Sequence, residues 1–463
     1  MKNLLFSLCA VFYCLSLHSQ TCIIGTVNIT SDSDVTSFSS LYHNCDTLIG
    51  AIHVKGQNIT NLDSLYVIKN FEGNILIDSC QNLTSIFGLR NVENVKGSLT
   101  LKLCPLLNKL DGFQGLKKII TLDIRNNASL NNVMALNNLK AVMGYFFLNN
   151  LPKLNLLPPF DSLKRVGVLS IANCGITVVD GFNYLDTIIA GPNMLEYGIL
   201  FNLTDLISFK GFNKVRKIGK ANLYSGALII QGSDNWVVLD AFHSLDTILG
   251  ELSILYFIGI EINAFQNLKS VENEFFISNC DNLTNLSNFS NLSELRGILR
   301  LLKCKSLLSL DGIKNVKLAN YKTTVKPAIW INSNENLSQC HIETICDHLA
   351  NPTKLHSIDI ENNKEDCNSA EEILALCSVG VDPDIDDVNI KLSPNPFSIA
   401  ISIESQQKGV VIIYDVNGRK VLSHDVAQGL HSIDATTFSN GIFWVKFTDE
   451  EGKTVVKKMI KME

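Results

Sequence analysis

From residue 50 to residue 191, large apolar side chains recur in a pattern that restarts every 23 or 24 positions. Each restart is marked by a glycine, at 50, 73, 97, 144, 167 and 191, with Ile120 in the equivalent place. Two positions on stand Ile52, Ile75, Leu99, Leu122, Phe146 and Leu169, and four positions on stand Val54, Ile77, Leu101, Ile124, Leu148 and Ile171. Alternation with a period of two is a strand with one apolar face. A strand this short cannot bury that face alone, so the pattern predicts copies stacked one on the next. Segment 97–119 shows the whole unit. Leu99 and Leu101 point inward, Ser98, Thr100 and Lys102 outward, and the pairs Leu107/Leu110 and Leu116/Ile119 follow around Asp111-Gly112.

Between about residues 191 and 250 the copies lengthen, and regular spacing resumes at Asn273 and Gly297. Longer copies imply loops bulging from the stack, and loops on a rigid scaffold are where function concentrates. A stack exposes core at both ends and needs caps. Residues 21–45 carry Cys22 and Cys45, expected to close the first cap as a disulfide. Residues 339–378 form the second, with short amphipathic helices over 341–349 and 369–377 flanking a strand over 355–360. Ser369 followed by Glu372 is a capping-box pattern. Cys340, Cys346, Cys367 and Cys377 would staple this cap in a connectivity left open.

After a polar, acidic linker over 379–388 the grammar changes. Short alternating strands are predicted over 400–404, 410–415, 420–425, 429–434, 443–448 and 454–458, separated by Asn417-Gly418, Asn440-Gly441 and Glu451-Gly452 turns. Residues 389–463 therefore read as a small antiparallel β-sandwich. At the other end, Lys2, the apolar run 4–17 and the polar His18-Ser19-Gln20 read as a secretory signal over 1–20. No later stretch is long and apolar enough to span a bilayer as a helix.

Charge narrows the partners. The net charge is −6 with no basic block along the chain, which disfavours nucleic acid and anionic membranes. Phenylalanine is prominent, 23 residues against 10 tyrosines and 3 tryptophans. Cys80, Cys104, Cys174, Cys280 and Cys304 all sit seven positions after a restart, in a column that suits either buried thiols or one or two ladder disulfides. The Cys340, His341, Cys346 and His348 spacing fits no usual zinc site. Asp382, Asp384, Asp386 and Asp387 lack the glycine and closing glutamate of a calcium loop. No serine elbow, zincin motif, phosphate loop or dinucleotide fingerprint is present, so neither an enzyme nor a cofactor is expected.

The repeat resembles the receptor L-domain, the leucine-rich-repeat-like solenoid of insulin- and EGF-receptor ectodomains, over roughly residues 45–377. Its pattern is clearest in segments 73–95 and 97–119. The resemblance implies a right-handed, mainly β solenoid over 46–338 with a helical disulfide cap. The last module is similar to the type A sorting domain of the type IX secretion system of Bacteroidota. Ser393-Pro394-Asn395-Pro396-Phe397, Tyr414-Asp415-Val416-Asn417-Gly418-Arg419, Asn440-Gly441-Ile442-Phe443 and Lys457-Lys458 carry this likeness. It implies export across the outer membrane by that machinery, with a sortase then releasing the cargo or attaching it to surface lipopolysaccharide.

What remains is surface. The outward strand positions form a strip that includes His53, Leu76, Thr100, Asp123, Phe147 and Ser170, with Tyr145 beside them. Aromatics in a regular outward row are candidate contacts for a protein or glycan ligand. The longer copies over 192–236 are a second candidate. The expected function is a secreted or surface-displayed binding protein. An inert spacer and a hydrolase accessory are the alternatives.

Overall fold

The computed structural model describes residues 20–189, 197–219, 226–320, 326–377, 390–415, 419–450 and 454–462. The expected signal over 1–20, except Gln20, and the expected linker over 379–388 lie outside these residues. The chain divides into two compact units between Leu374 and Ala375.

In the first unit, twenty strands of the described residues belong to one long sheet in which every pairing is parallel. The register carries each apolar slot onto its equivalent. Ile52 pairs with Ile75, Ile75 with Leu99, Leu99 with Leu122, Leu122 with Phe146 and Phe146 with Leu169. Beyond the irregular middle the same column runs on through Ile199, Leu228, Leu252, Phe275, Leu299 and Ile329. All of these are buried, each adding roughly 1.5–3 kcal/mol of hydrophobic stabilisation.

Glycine opens the copies because backbones meet there. Gly73 has φ +147°, and a Cβ on it would lie 1.7 Å from the Gly50 carbonyl oxygen. No side chain fits that approach, and the strand register shifts at the neighbouring openers, between Val95 and Ser98 for example. Early copies cross this kink as one strand, as in Asn94–Lys102 and Ala141–Leu151. Later copies divide it into a two- or three-residue strand and a main strand. Arg165–Cys174 thus pairs with Thr187–Ile188 at its start and with Tyr197–Asn202 further on. The lengthening read from the sequence falls between those two halves.

Two side-chain columns line the turns that follow each strand. The first contains the cysteines. Cys80, Cys104, Cys174, Cys280 and Cys304 are buried free thiols, which decides against ladder disulfides. Each thiol lies within reach of the carbonyl two residues earlier, at 3.3–3.6 Å, for example Cys174 to Ala172. Asn127, Asn334 and Asn363 occupy the same slot, where the amide side chain bridges neighbouring copies. The second column is phenylalanine. Phe160, Phe182, Phe212, Phe242, Phe265 and Phe289 stack in sequence with ring centroids 4.5–5.7 Å apart. This ladder accounts for much of the phenylalanine excess.

The first cap contains the strand Thr21–Ile29 and a helix, Asp32–Tyr42. Its serine- and aspartate-rich sequence shows no strong helical pattern, so the start is made by capping. The Asp34 amide donates to Ser31 Oγ at 3.3 Å, and the Ser31 amide donates to Asp34 Oδ2 at 3.0 Å. Cys22 and Cys45 are bonded to each other. Toward the end of this unit, helix Glu343–Ala350 and strand Ser357–Glu361 precede helix Ala370–Cys377. Cys340 is bonded to Cys367, and Cys346 and Cys377 are also in disulfide linkage. The Ser369 hydroxyl accepts from the Glu372 amide, but the Glu372 carboxylate turns to the Asp366 and Asn368 amides rather than closing the box on Ser369.

The second unit has two antiparallel sheets. Ile390–Ser393, Ala400–Ser405 and Gly429–Asp434 form one; Lys420–Val426, Gly409–Asp415, Gly441–Asp449 and Thr454–Lys461 form the other. Their inward residues, among them Ile401, Val411, Phe443 and Met459, make a core of its own.

Candidate binding face and sorting module

Strand alternation sends the third residue after each opener outward, and the register lines these residues up. The column runs His53, Leu76, Thr100, Asp123, Phe147, Ser170, Leu200, Ile229, Ser253, Phe276, Arg300, Trp330 and Asp359. Tyr145 stands one column over, with its ring 5.0 Å from that of Phe147. The seven residues read from sequence therefore share one face. They are less exposed than a solvent strip would be. His53, Thr100, Tyr145 and Phe147 are half-buried, whereas Asp123 is only 8% exposed and Ser170 only 4%. An outward position in a closely stacked sheet is shaded by its neighbours above and below, which alternation alone does not reveal.

Asp123 illustrates the result. Its Oδ2 is 3.1 Å from Arg125, and its Oδ1 is buried without a hydrogen-bond partner. Burial raises its carboxyl above the usual range, with Arg125 and Lys102 opposing the shift. Lys102 is itself paired with Asp78 at 3.3 Å. This half of the face joins two ion pairs to the Tyr145 and Phe147 rings.

The other half of the face holds a group the sequence reading missed. The Arg300 guanidinium lies between two rings, 4.9 Å from Phe276 and 4.1 Å from Trp330. Its Nε is 3.0 Å from Glu274 Oε1, an ionic contact without hydrogen-bond alignment. Trp330 is anchored by donating to Ser357 Oγ at 2.9 Å, and Ser253 donates to Glu251. Burial pushes the Glu274 carboxyl up to about 7; Arg300 opposes this and Glu251 adds to it. Phe276, Arg300 and Trp330 occupy the slot of Phe147. Counting three positions on from Asn273 and Gly297 would have found the first two, had the reading been carried past the irregular middle.

Those middle copies are described only in part. Trp236, at the edge of the second candidate region, is fully buried, with its ring 5.0 Å from that of Phe257. It offers no contact surface. Among the described residues, no three His, Cys, Asp or Glu side chains converge as a metal ion would require, and no helix is long and apolar enough to cross a membrane.

In the second unit Asn395 and Phe397 of the sorting motif meet the end of the last strand, while Lys457 and the Asp415–Arg419 pair make separate contacts. Pro394, Asn395 and Pro396 are exposed, and both proline peptide bonds in Ser393-Pro394-Asn395-Pro396 are cis. Asn395 Oδ1 accepts from the Ile460 amide at 2.9 Å, while Phe397 bonds Ile460 through its backbone at 2.8 Å. The buried Phe397 ring packs near Phe443 and Phe438. Lys457 Nζ donates to the Ile390 carbonyl at 2.6 Å, whereas the Lys458 side chain lies outside what is described. Asp415 holds Arg419 twice, accepting from its amide at 2.9 Å and its Nε at 3.1 Å. Gly418, which lies between them in sequence, is outside the described residues. Gly441 has φ +144° at the start of its strand.

Residues 391–462 match the family model of the secretion system C-terminal sorting domain. That match spans nearly all of the sorting module and indicates export through the type IX secretion system to a secreted or cell-surface location. It also implies engagement of the type IX machinery by this module. No curated protein matches the chain.

Proposed function

We propose that the exported protein is a non-enzymatic binding protein whose stacked copies form a receptor L-domain-type solenoid. Its strand face takes a protein or glycan ligand at the cell exterior, and the sorting module delivers it there by way of the periplasm. The supporting observation is the packing of Arg300 between Phe276 and Trp330 over a buried Glu274. Rigid aromatic and guanidinium groups lose little entropy on binding and are the residue types that anchor interfaces. The Asp123, Tyr145 and Phe147 group gives the same face a second such patch.

The test is a glycan and surface-protein array probed with the full chain lacking residues 1–20. Wild-type protein should capture a ligand that the Trp330→Ala or Phe147→Ala protein binds at least about tenfold more weakly. A ligand retained by both variants removes the face from the proposal. No captured ligand at all favours the inert spacer.

A further inference from the structure

Along the edge where each strand begins, a patch of positive charge exists only because the copies stack. The Lys140 amide donates to the Lys117 carbonyl at 2.7 Å, and the Lys164 amide to the Lys140 carbonyl at 3.0 Å. Three lysines 23 or 24 residues apart thus stand in one column, about 4.8 Å from rung to rung. Lys118 and Arg165 flank it in the next column, separated by the small, buried Ala141. Of these five cations, only Lys117 has a carboxylate partner among the described residues, Glu93 at 2.7 Å. Lys118, Lys140, Lys164 and Arg165 are all exposed.

Like charges directly opposite one another destabilise a sheet. Elsewhere the same column avoids this. Asp246 separates Arg216 from Lys269, bonded to each through the backbone. Five cations in three rungs of a chain with net charge −6 are therefore a local exception. Glu93 and Asp186 bound the patch at its two ends. Beside it opens a cleft of about 500 Å³ whose lining includes Lys118, Ile120 and Met143, together with Lys96, which is ion-paired with Glu72 there. Ile120 is 46% exposed and Met143 is 50% exposed.

We infer that this edge binds an acidic polysaccharide, whose carboxylates or sulfates meet the cations of Lys118, Lys140, Lys164 and Arg165. The rung spacing is close to the length of one sugar ring, so a polymer lying along the stack presents about one anion per rung. Ile120 and Met143 offer apolar contact to the ring faces. Nucleic acid fits less well. The one aromatic side chain lining the cleft, Phe71, is fully buried and gives bases nothing to stack on. A membrane fits less well too, since the apolar groups line a concavity rather than a protruding face. This edge and the strand face of the proposed function carry different residues and are tested separately.

The full chain lacking residues 1–20 is titrated with oligogalacturonate and with chondroitin sulfate. Methyl-esterified oligogalacturonate, single-stranded DNA and phosphatidylglycerol vesicles serve as rivals. Binding to at least one acidic glycan is expected, with affinity falling as salt rises and with little affinity for the ester. The K140Q/K164Q/R165Q protein should bind at least about tenfold more weakly, while K140R/K164R retains binding. Trp330→Ala and Phe147→Ala should leave this affinity unchanged. A melting temperature of the glutamine variant no lower than that of the wild type shows that the fold is kept. The inference is overturned if neither acidic glycan binds, if the ester binds equally well, or if the glutamine variant is unaffected. Tighter binding to DNA or vesicles than to both glycans overturns it as well.

Discussion

Asn127 Oδ1 accepts a hydrogen bond from the Cys104 amide at 2.9 Å, and its Nδ2 donates to the Leu101 and Arg125 carbonyls. One fully buried side chain thus satisfies three backbone groups across two copies. Asn127→Ala strands all three and should cost about 2–4 kcal/mol in urea unfolding. Asn127→Cys should cost less, because the thiols at Cys80 and Cys174 sit within reach of backbone carbonyls in the same slot. Equal losses for the two variants would count against this account of the column.

The cysteines of that column should be chemically silent in the folded protein. Burial pushes the Cys174 thiol up to about 11 and likewise raises Cys280, whereas the hydrogen bond with Cys104 lowers Cys80; what all five share is burial. Enclosure keeps a disulfide reagent away from all five, and at Cys174 and Cys280 the attacking thiolate is scarce as well. Chain lacking residues 1–20 should release no chromophore from Ellman's reagent when native and five equivalents when denatured. Release from the native protein would show that the column opens.

Glu274 makes stability depend on pH in an identifiable direction. Its folded carboxyl titrates at about 7, above the unfolded value of 4.5, so the native state holds the extra proton in between. Stability is then lost as pH rises from 5 to 8, by roughly 1–3 kcal/mol. Asp34, Asp78, Glu93 and Asp434 are shifted the other way and titrate below this window. Melting temperatures at pH 5 and pH 8 should differ less in Glu274→Gln than in the wild type. An unchanged difference would exclude Glu274 as its source.

Phe212 is the most connected rung of the phenylalanine ladder, stacked on Phe182 and Phe242 and packed against Phe201 and Phe209. Phe212→Ala should destabilise the first unit by about 3–5 kcal/mol, whereas Phe212→Leu keeps most of the volume and should cost about 1–2 kcal/mol. Denaturant unfolding followed by circular dichroism reads both.

Removing residues 389–463 should leave the protein in the periplasm of its producing cell, since that segment contains the matched sorting domain. Fractionation and immunoblotting decide the point. Protein reaching the medium or the cell surface without it would show that export uses another signal.

How far the sequence could be read depended on whether a feature is local or stacked. The strands over 400–448 were legible because alternation and Asn-Gly turns act within a few residues. Helix Asp32–Tyr42 was not, because a capping box and packing by Val35 and Phe38, rather than composition, set it in place. On the candidate face, the slot of Phe147 was read up to Ser170. Phe276, Arg300 and Trp330, in the same slot, were lost where the spacing changes.

By itself the sequence determined the parallel strands, their inward columns and the sorting module. Each rests on periodicity or on a motif whose residues are near neighbours in the chain. Only the tertiary structure decided which outward residues are covered, since the shading of Asp123 comes from the copies on either side of it. It also decided that the column thiols stay unbonded and that Lys117, Lys140 and Lys164 share one edge. Burial and field are sums over neighbours in space. In a stacked chain those neighbours lie a full copy away, where no local pattern registers them.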